Sequence, residues 1–550
     1  MFGRSSSSRT VAQSHYFVRH RWHTKSSVST RRTSTTTTAT IVSSLSSQST
    51  SNKDQSTIFS KFPPNTRNVM APMVAASDYP YRCLLRQYGV DLCYMQMLHS
   101  RNLVQDKVFR RTHLDLLEYR TDKLEQEEQD EEVLMMQPYD TLLPQQKLAL
   151  EGLDETDRMA AQQRLQTKKR FQDTTTTTTS TSTANNNNNN KYWQKGPLMA
   201  QLAGSNVDDV LSAAKLLMES TEGKLTGIDF NLGCPQQIAK KGNYGAFFME
   251  ADLDQVCRIL TSLSEWMARH YPTSYVSAKI RLPVDDEILV RERIPRLLQT
   301  GISFLTIHGR TIHENKTKVQ ACHVNRIKRA VDTCHQIQPK FPVVTNGGIE
   351  SYPDVAHNIR ETNAIAVMSS EALLERPNVF MESSVTNSPH ERFQQQMTIA
   401  RDYIDWCLLS PPAPGVLGDH GSFSIAKGHM FKFVHPYLQE HSDLRDALGM
   451  PQHVGNVRQL HVWLNELEAR YAMLRPEEFM ELSSSQKNAS WYRRHRNAQE
   501  RVHTRQVGGA KAPRRTDSLM TVQERKELAR QRIAKLKEQR ISKETVRANL

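Results

Sequence analysis

The sequence predicts an α/β chain whose body is a (β/α)8 TIM barrel, followed by an all-helical domain. Three observations carry this. Eight short apolar runs, each ended by Gly, Pro, Asn or a polar residue, recur between residues 68 and 369. Helix-like segments separate most of them, which is the alternation of parallel strands with crossover helices. No GxGxxG follows the first run, which weighs against a doubly wound dinucleotide-binding sheet as the alternative.

In chain order the expected strands are NVMAPM (68–73), CYMQM (93–97), PLMAQL (197–202), GIDFNLG (227–233), VSAKIRL (276–282), FLTIHGR (304–310), PVVTNGG (342–348) and AIAVMS (364–369). Segments such as VDDVLSAAKLLMEST and LDQVCRILTSLSEWMARH supply the crossovers. One interval, about 118–195, breaks the rhythm with EQEEQDEE, a Thr run and NNNNNN. Charge blocks and homopolymers bury nothing, so a disordered insertion after the second strand is expected. The barrel is therefore placed at 61–385 with this insertion inside it. Amphipathic runs such as RQLHVWLNELEARYAML place a helical domain at 386–485. A basic helical or disordered tail occupies 486–550.

Charge sharpens this division. The net charge is +14, yet residues 1–53 carry eight Lys/Arg and no acid, and the tail is also strongly basic. Basic ends suit nucleic acid, an anionic surface or an import machine. Residues 1–60, rich in Arg, Ser and Thr, read as a disordered extension with the composition of a transit peptide. The expected location is cytoplasmic or nuclear, with a mitochondrial or plastid address as the alternative. Seven scattered cysteines without CxxC pairs argue against a disulfide framework or a structural zinc site. No run of 18 apolar residues exists, so no transmembrane helix and no membrane partner are expected.

Functional groups of a parallel barrel gather at the C-terminal ends of its strands. Those ends offer Pro72, Met73 and Val74, then Gln201, then Asn231 and Cys234. Beyond them come Lys279 and Arg281, His308 and Arg310, Asn346 with Gly347 and Gly348, and Ser369, Ser370 and Glu371. Amide, ammonium and imidazole groups suit the polar edge of a flat heterocycle. Glycines after the seventh strand and backbone N–H groups after the eighth suit a phosphate. FMN fits that layout, with Lys279 supplying the positive charge a reduced ring needs. No metal is called for. Cys234 sits between Gly233 and Pro235 at a polar loop mouth, an unusual place for a structural cysteine. A thiol near its ordinary pKa is protonated at neutral pH and suits a proton donor; a nucleophile or a buried spacer are the alternatives.

Together, VMAPMV, DFNLGCPQQIAKKGNYGAFF, AKIRL, LTIHGRT, VVTNGGI and AVMSSEALLERP resemble the flavin-dependent tRNA-dihydrouridine synthases, most closely their eukaryotic branch acting at tRNA positions 16 and 17. The resemblance covers about 68–118 and 196–385, and more weakly KGHMFKFVHPYLQEHSDLRDALG (427–449). It implies reduction of the C5–C6 double bond of a D-loop uridine, with NADPH reducing FMN, hydride passing from flavin N5 to C6, and a loop cysteine protonating C5. Cys234 matches that cysteine, and Asn231 matches the residue that holds the uracil. Pro72, Met73, Val74, Gln201, Lys279, His308, Asn346, Gly347 and Gly348 match flavin contacts, and Ser369 and Ser370 stand at the phosphate. Arg310 faces phosphate or RNA and is grouped with Asn231 on the substrate side. Ser369-Ser370-Glu371 departs from the GRG common elsewhere in the family. The helical domain and tail would bind tRNA, and no obligate protein partner is evident. A flavin barrel acting on a free pyrimidine, as dihydroorotate-type enzymes do, and a non-catalytic tRNA-binding protein are the rival readings.

Overall fold

The computed structural model describes residues 62–114, 116, 156, 159–161, 163–165, 196–315, 318–386, 388–409, 421–439, 441–450, 453–472 and 474. The expected N-terminal extension, most of the 118–195 interval and the tail from 486 lie outside the described residues.

The eight expected strands are present: β1 (Asn68–Met70), β2 (Cys93–His99), β3 (Leu198–Ala203), β4 (Gly227–Leu232), β5 (Tyr275–Leu282), β6 (Phe304–Thr311), β7 (Val343–Asn346) and β8 (Ala366–Ser369). They form one parallel sheet in the order β1-β8-β7-β6-β5-β4-β3-β2. Val69 bridges Leu92 in parallel, and the Met70 N–H donates to the Leu92 carbonyl at 2.9 Å, which brings the two ends together into a barrel. β1 stops at Met70, so Pro72, Met73 and Val74 lie on the loop after it.

Helices of the barrel include α1 (Tyr79–Gln87), α2 (Val207–Ser220), α3 (Leu253–His270), α4 (Ile294–Leu298), α5 (Val324–Ile337) and α6 (Tyr352–Thr362). Their starts are written in the sequence. Asn206 and Asp252 cap α2 and α3 by accepting from backbone N–H groups three residues on. Ser351 and Asp354 form a capping box at α6, with Pro353 in its first turn.

Two apolar layers result. Val69, Tyr94, Met199, Phe304, Val344, Ala366 and Met368 fill the barrel floor. Val276, Ala278, Ile280 and Leu282 of β5 belong to the larger core shared with the helices. The period of two along β5 then turns Ser277, Lys279 and Arg281 to the opposite face, inside the barrel.

Among the described residues four more α-helices follow the barrel: α7 (Pro389–Leu409), α8 (Gly421–Phe433), α9 (Ser442–Gly449) and α10 (Val457–Ala472). α7 packs on α1 of the barrel and on α8 and α10. The expectation that the 118–195 interval buries nothing is corrected within 159–165. Ala161 and Leu165, one helical turn apart, are buried there. Between them Arg164 grips Asp405 of α7 with both arms, Nε to Oδ2 at 3.0 Å and Nη2 to Oδ1 at 2.7 Å. The polar tracts on either side mask this short amphipathic piece in the composition.

Candidate active site

Strand register gathers the expected residues within a few positions of one another at the C-terminal ends of the strands. Gln201 lies opposite Asp229, Asn231 opposite Lys279, Arg281 opposite His308, His308 opposite Asn346, and Met70 opposite Ser369. Residues from seven strands thus meet at the C-terminal mouth of the barrel.

On the β3–β5 side they are joined by side chains. Buried Asp229 accepts from Ser277 Oγ at 2.6 Å and from Gln201 Nε2 at 2.7 Å. The carboxylate therefore fixes which end of the Gln201 amide faces it. The remaining oxygen, Oε1, accepts from Asn231 Nδ2 at 2.8 Å. Asn231 Oδ1 in turn accepts from the backbone N–H groups of Gly233 (3.2 Å) and Cys234 (3.0 Å). Asn231 is thus largely committed to shaping the thiol loop, which leaves one amide N–H for a ligand. The loop doubles back on itself: the Ala246 N–H donates to the Cys234 carbonyl at 3.1 Å. Gly245 makes that approach at φ +68°, and a Cβ there would lie 2.8 Å from the Cys234 Cβ.

Charges are arranged around the half-buried Cys234. Burial pushes its thiol above the usual range, against the pull of a backbone N–H at Gln236 and of Arg281 and Lys279. The thiol is therefore a protonated acid at neutral pH. Burial, and next Arg281, lower Lys279 to about 8, while Asp229 and Cys234 act in the opposite sense. No hydrogen bond or ion pair of the Lys279 ammonium is present among the described residues. Arg281 bridges the loop after β4 and the end of β6, donating to the Gly233 and Thr311 carbonyls at 2.9 and 3.1 Å. Burial raises Asp229 to about 6 despite its hydrogen bonds from Ser277 and Gln201.

The β6–β8 side is an open pocket lined by His308, Arg310, Asn346, Gly347, Gly348, Ser369, Ser370 and Glu371 among others. Gly347 has φ +101°, and a Cβ there would sit 3.3 Å from His308 Cδ2 and 3.5 Å from Arg310 Nη1. Arg310, grouped with the substrate side from sequence, is a buried wall of this pocket. Its Nε donates to the Gln320 carbonyl at 2.7 Å, its Nη1 lies 3.2 Å from His308 Nε2, and its buried Nη2 has no partner among the described residues. Burial, with Arg281, Lys279 and Arg310 nearby, holds His308 well below the ordinary imidazole range, so it is neutral. Asn346 Nδ2 donates to the Met368 carbonyl at 2.9 Å and ties β7 to β8. Glu371 is held above the usual carboxyl range by burial, with Arg310 and Arg281 opposing, which softens its repulsion of an anion in the pocket. An unsatisfied guanidinium, an unpaired ammonium and a glycine cradle fit a planar ring carrying a phosphate.

Sequence reasoning passed over Asp229, Ser277 and Tyr244. Asp229 stands two residues before Asn231, so strand periodicity alone puts both on the inner face. Tyr244, buried in the loop after Cys234, joins Ala203 and Ala239 in a small cluster that Cys234 packs against.

The family model described as Dihydrouridine synthase (Dus) matches residues 69–126 and 157–448, more than half of the chain. Its second stretch takes in the helical piece at 159–165 and so narrows the insertion. The tRNA-dihydrouridine(16/17) synthase of Saccharomyces cerevisiae is 28% identical over 71% of this chain and 70% of its own. Its Schizosaccharomyces pombe counterpart is 26% identical over 70% of this chain and 72% of its own. A mouse protein named tRNA-dihydrouridine(16/17) synthase-like is 26% identical over 70% of this chain, and the match spans 58% of the mouse protein. With the family model matched along the barrel and into the helices that follow it, this protein belongs to the dihydrouridine synthase family of oxidoreductases.

Proposed function

We propose that the chain reduces the C5–C6 double bond of a uridine in the tRNA D-loop, at position 16 or 17, using FMN as cofactor and NADPH as reductant. The observation that carries this is the Cys234 loop, held at the mouth by the Cys234 backbone N–H donating to Asn231 Oδ1, with the thiol raised by burial and the unpaired Lys279 ammonium beside it. The named relatives act on tRNA at those positions, which supports the choice of substrate.

The residues divide the work. Pro72, Met73 and Val74, on the loop after β1, and Gln201 and Lys279 border the ring of FMN. His308, Arg310, Gly347, Gly348, Ser369 and Ser370 hold its phosphate, with the free Nη2 of Arg310 as the charged contact. When bound, FMN supplies the hydride that uracil C6 accepts. Lys279 places a positive charge that favours an anionic reduced ring. Cys234 donates its proton to C5, and Arg281 and Lys279 then steady the thiolate left behind. The remaining Asn231 N–H faces a uracil carbonyl. A base in folded RNA must leave its stack to enter this mouth. The helical domain and the basic tail supply the rest of the tRNA affinity, through charge and shape.

An anaerobic titration tests the reading. Bound FMN should bleach on addition of NADPH and recover its colour when unmodified tRNA is added. Recovery with orotate but not with tRNA would replace the substrate by a free pyrimidine.

A further inference from the structure

We propose that the helical domain sets the cofactor affinity of the barrel, because a buried cluster of His429, Asp78 and Tyr403 holds the Pro72–Val74 loop in its binding shape. The inference rests on the FMN reading above.

Asp78 is the residue before α1, the position from which an aspartate usually caps a helix. Here its side chain makes no cap hydrogen bond. Both carboxylate oxygens turn instead to the helical domain. Oδ1 lies 2.8 Å from His429 Nε2 of α8, and Oδ2 accepts from Tyr403 Oη of α7 at 3.0 Å. Asp78 is 6% exposed and His429 1%, so the contact is sealed from water. A carboxylate only accepts, so His429 Nε2 carries the proton, while its buried Nδ1 has no partner among the described residues. Tyr81 of α1 stacks on the imidazole with ring centroids 4.1 Å apart and fixes its plane.

The cluster reaches the loop in one residue. Ser77, next to Asp78, accepts the Met73 N–H on its Oγ at 2.9 Å, and its carbonyl accepts from Arg82 of α1. Between Met73 and Ser77, Ala75 has φ 56°, a left-handed conformation that an alanine keeps only when its surroundings over-determine it. Gln96 of β2 supplies one tether by accepting the Ala75 N–H at 3.2 Å. The Asp78 cluster supplies the other.

The same interface contains a built-in control. At the far end of α1, Asp402 of α7 accepts from Tyr88 Oη and Gln87 Nε2, each at 2.8 Å. That contact joins the helical domain to α1 without touching the loop.

The experiment compares full-length His429→Ala, His429→Gln and Asp402→Asn with the parent chain. FMN dissociation constants come from quenching of flavin fluorescence, unfolding midpoints from thermal melts, and loop opening from hydrogen exchange at the Met73 and Ala75 amides. His429→Ala should weaken FMN binding by about tenfold or more and speed exchange at both amides. His429→Gln, which keeps a donor for Asp78, should recover FMN binding to within about threefold of the parent. Asp402→Asn should lower the midpoint yet leave FMN affinity and loop exchange unchanged. Parent-like FMN binding in His429→Ala would overturn the inference, as would an equal loss of affinity in Asp402→Asn. If the parent itself fails to bind FMN, the cofactor reading fails. The hydrogen-exchange comparison then still decides whether His429 holds the loop.

Discussion

On the β6–β8 side of the mouth the pocket is shaped mainly by backbone, whereas on the β3–β5 side it is shaped by side chains that hold one another. Gly347 and Gly348, both at positive φ, and the turn at Ser369 and Ser370 give the first side its form. The second depends on a chain of amides from Asp229 through Gln201 and Asn231 to the Cys234 loop. A backbone-built surface tolerates exchange of side chains, so the Ser369-Ser370 turn can keep its form when its hydroxyls change. A surface made of interlocked amides does not, because each partner fixes the orientation of the next.

Substitutions can break this contrast or sharpen it. Cys234→Ala should lower dihydrouridine formation by about 10²–10⁴-fold while FMN binding stays unchanged, since only the proton donor is removed. Rapid-quench product analysis and flavin titration check both halves of that statement. Lys279→Met should slow reduction of bound flavin by NADPH by about 10²-fold. In the parent chain Lys279 loses its charge as pH rises through about 8, so flavin reduction should decline above that pH. Stopped-flow traces across pH should show the decline in the parent and not in the Met variant.

Gly347→Val tests the backbone side. A side chain at φ +101°, with its Cβ 3.2 Å from Cys322 Sγ, costs about 1–3 kcal/mol and should weaken FMN by roughly tenfold or more. Asp229→Asn tests what the amide chain costs in stability. The folded carboxyl is raised to about 6, above its unfolded value of 3.8. The stability it contributes is therefore present below about pH 4 and lost as pH rises through about 6. At pH 8 the Asn variant should be more resistant to denaturant than the parent by about 1–3 kcal/mol, with a smaller difference at pH 4. The smallest effect is expected for Ser370→Ala. If backbone forms the cradle, FMN affinity should change by no more than about twofold, and isothermal titration would reveal a larger role for the hydroxyl.

Much of this was legible in the sequence. The eight strands could be read because each is a short apolar run with a clear stop. The inner face could be read because Lys279 and Arg281 alternate with Ala278, Ile280 and Leu282. The position of Cys234 in its motif identified the thiol loop before any geometry. The double duty of Asn231 was not readable, because it depends on register with Gln201 and Asp229. The bond that fixes the Arg310 guanidinium was not readable either, because it goes to the Gln320 carbonyl in the loop after β6. The contact between Asp78 and His429 spans 351 residues and arises only when α8 docks on α1. The helical piece around Ala161 and Leu165 was hidden by the tracts beside it.

The most direct measurement supplies the purified chain with FMN, NADPH and unmodified tRNA, then digests the RNA and weighs the fragments. A D-loop fragment heavier by two hydrogens, mapped to position 16 or 17 and absent with Cys234→Ala, is the predicted result. Oxidation of NADPH with no change in the mass of any uridine would contradict the proposed reaction.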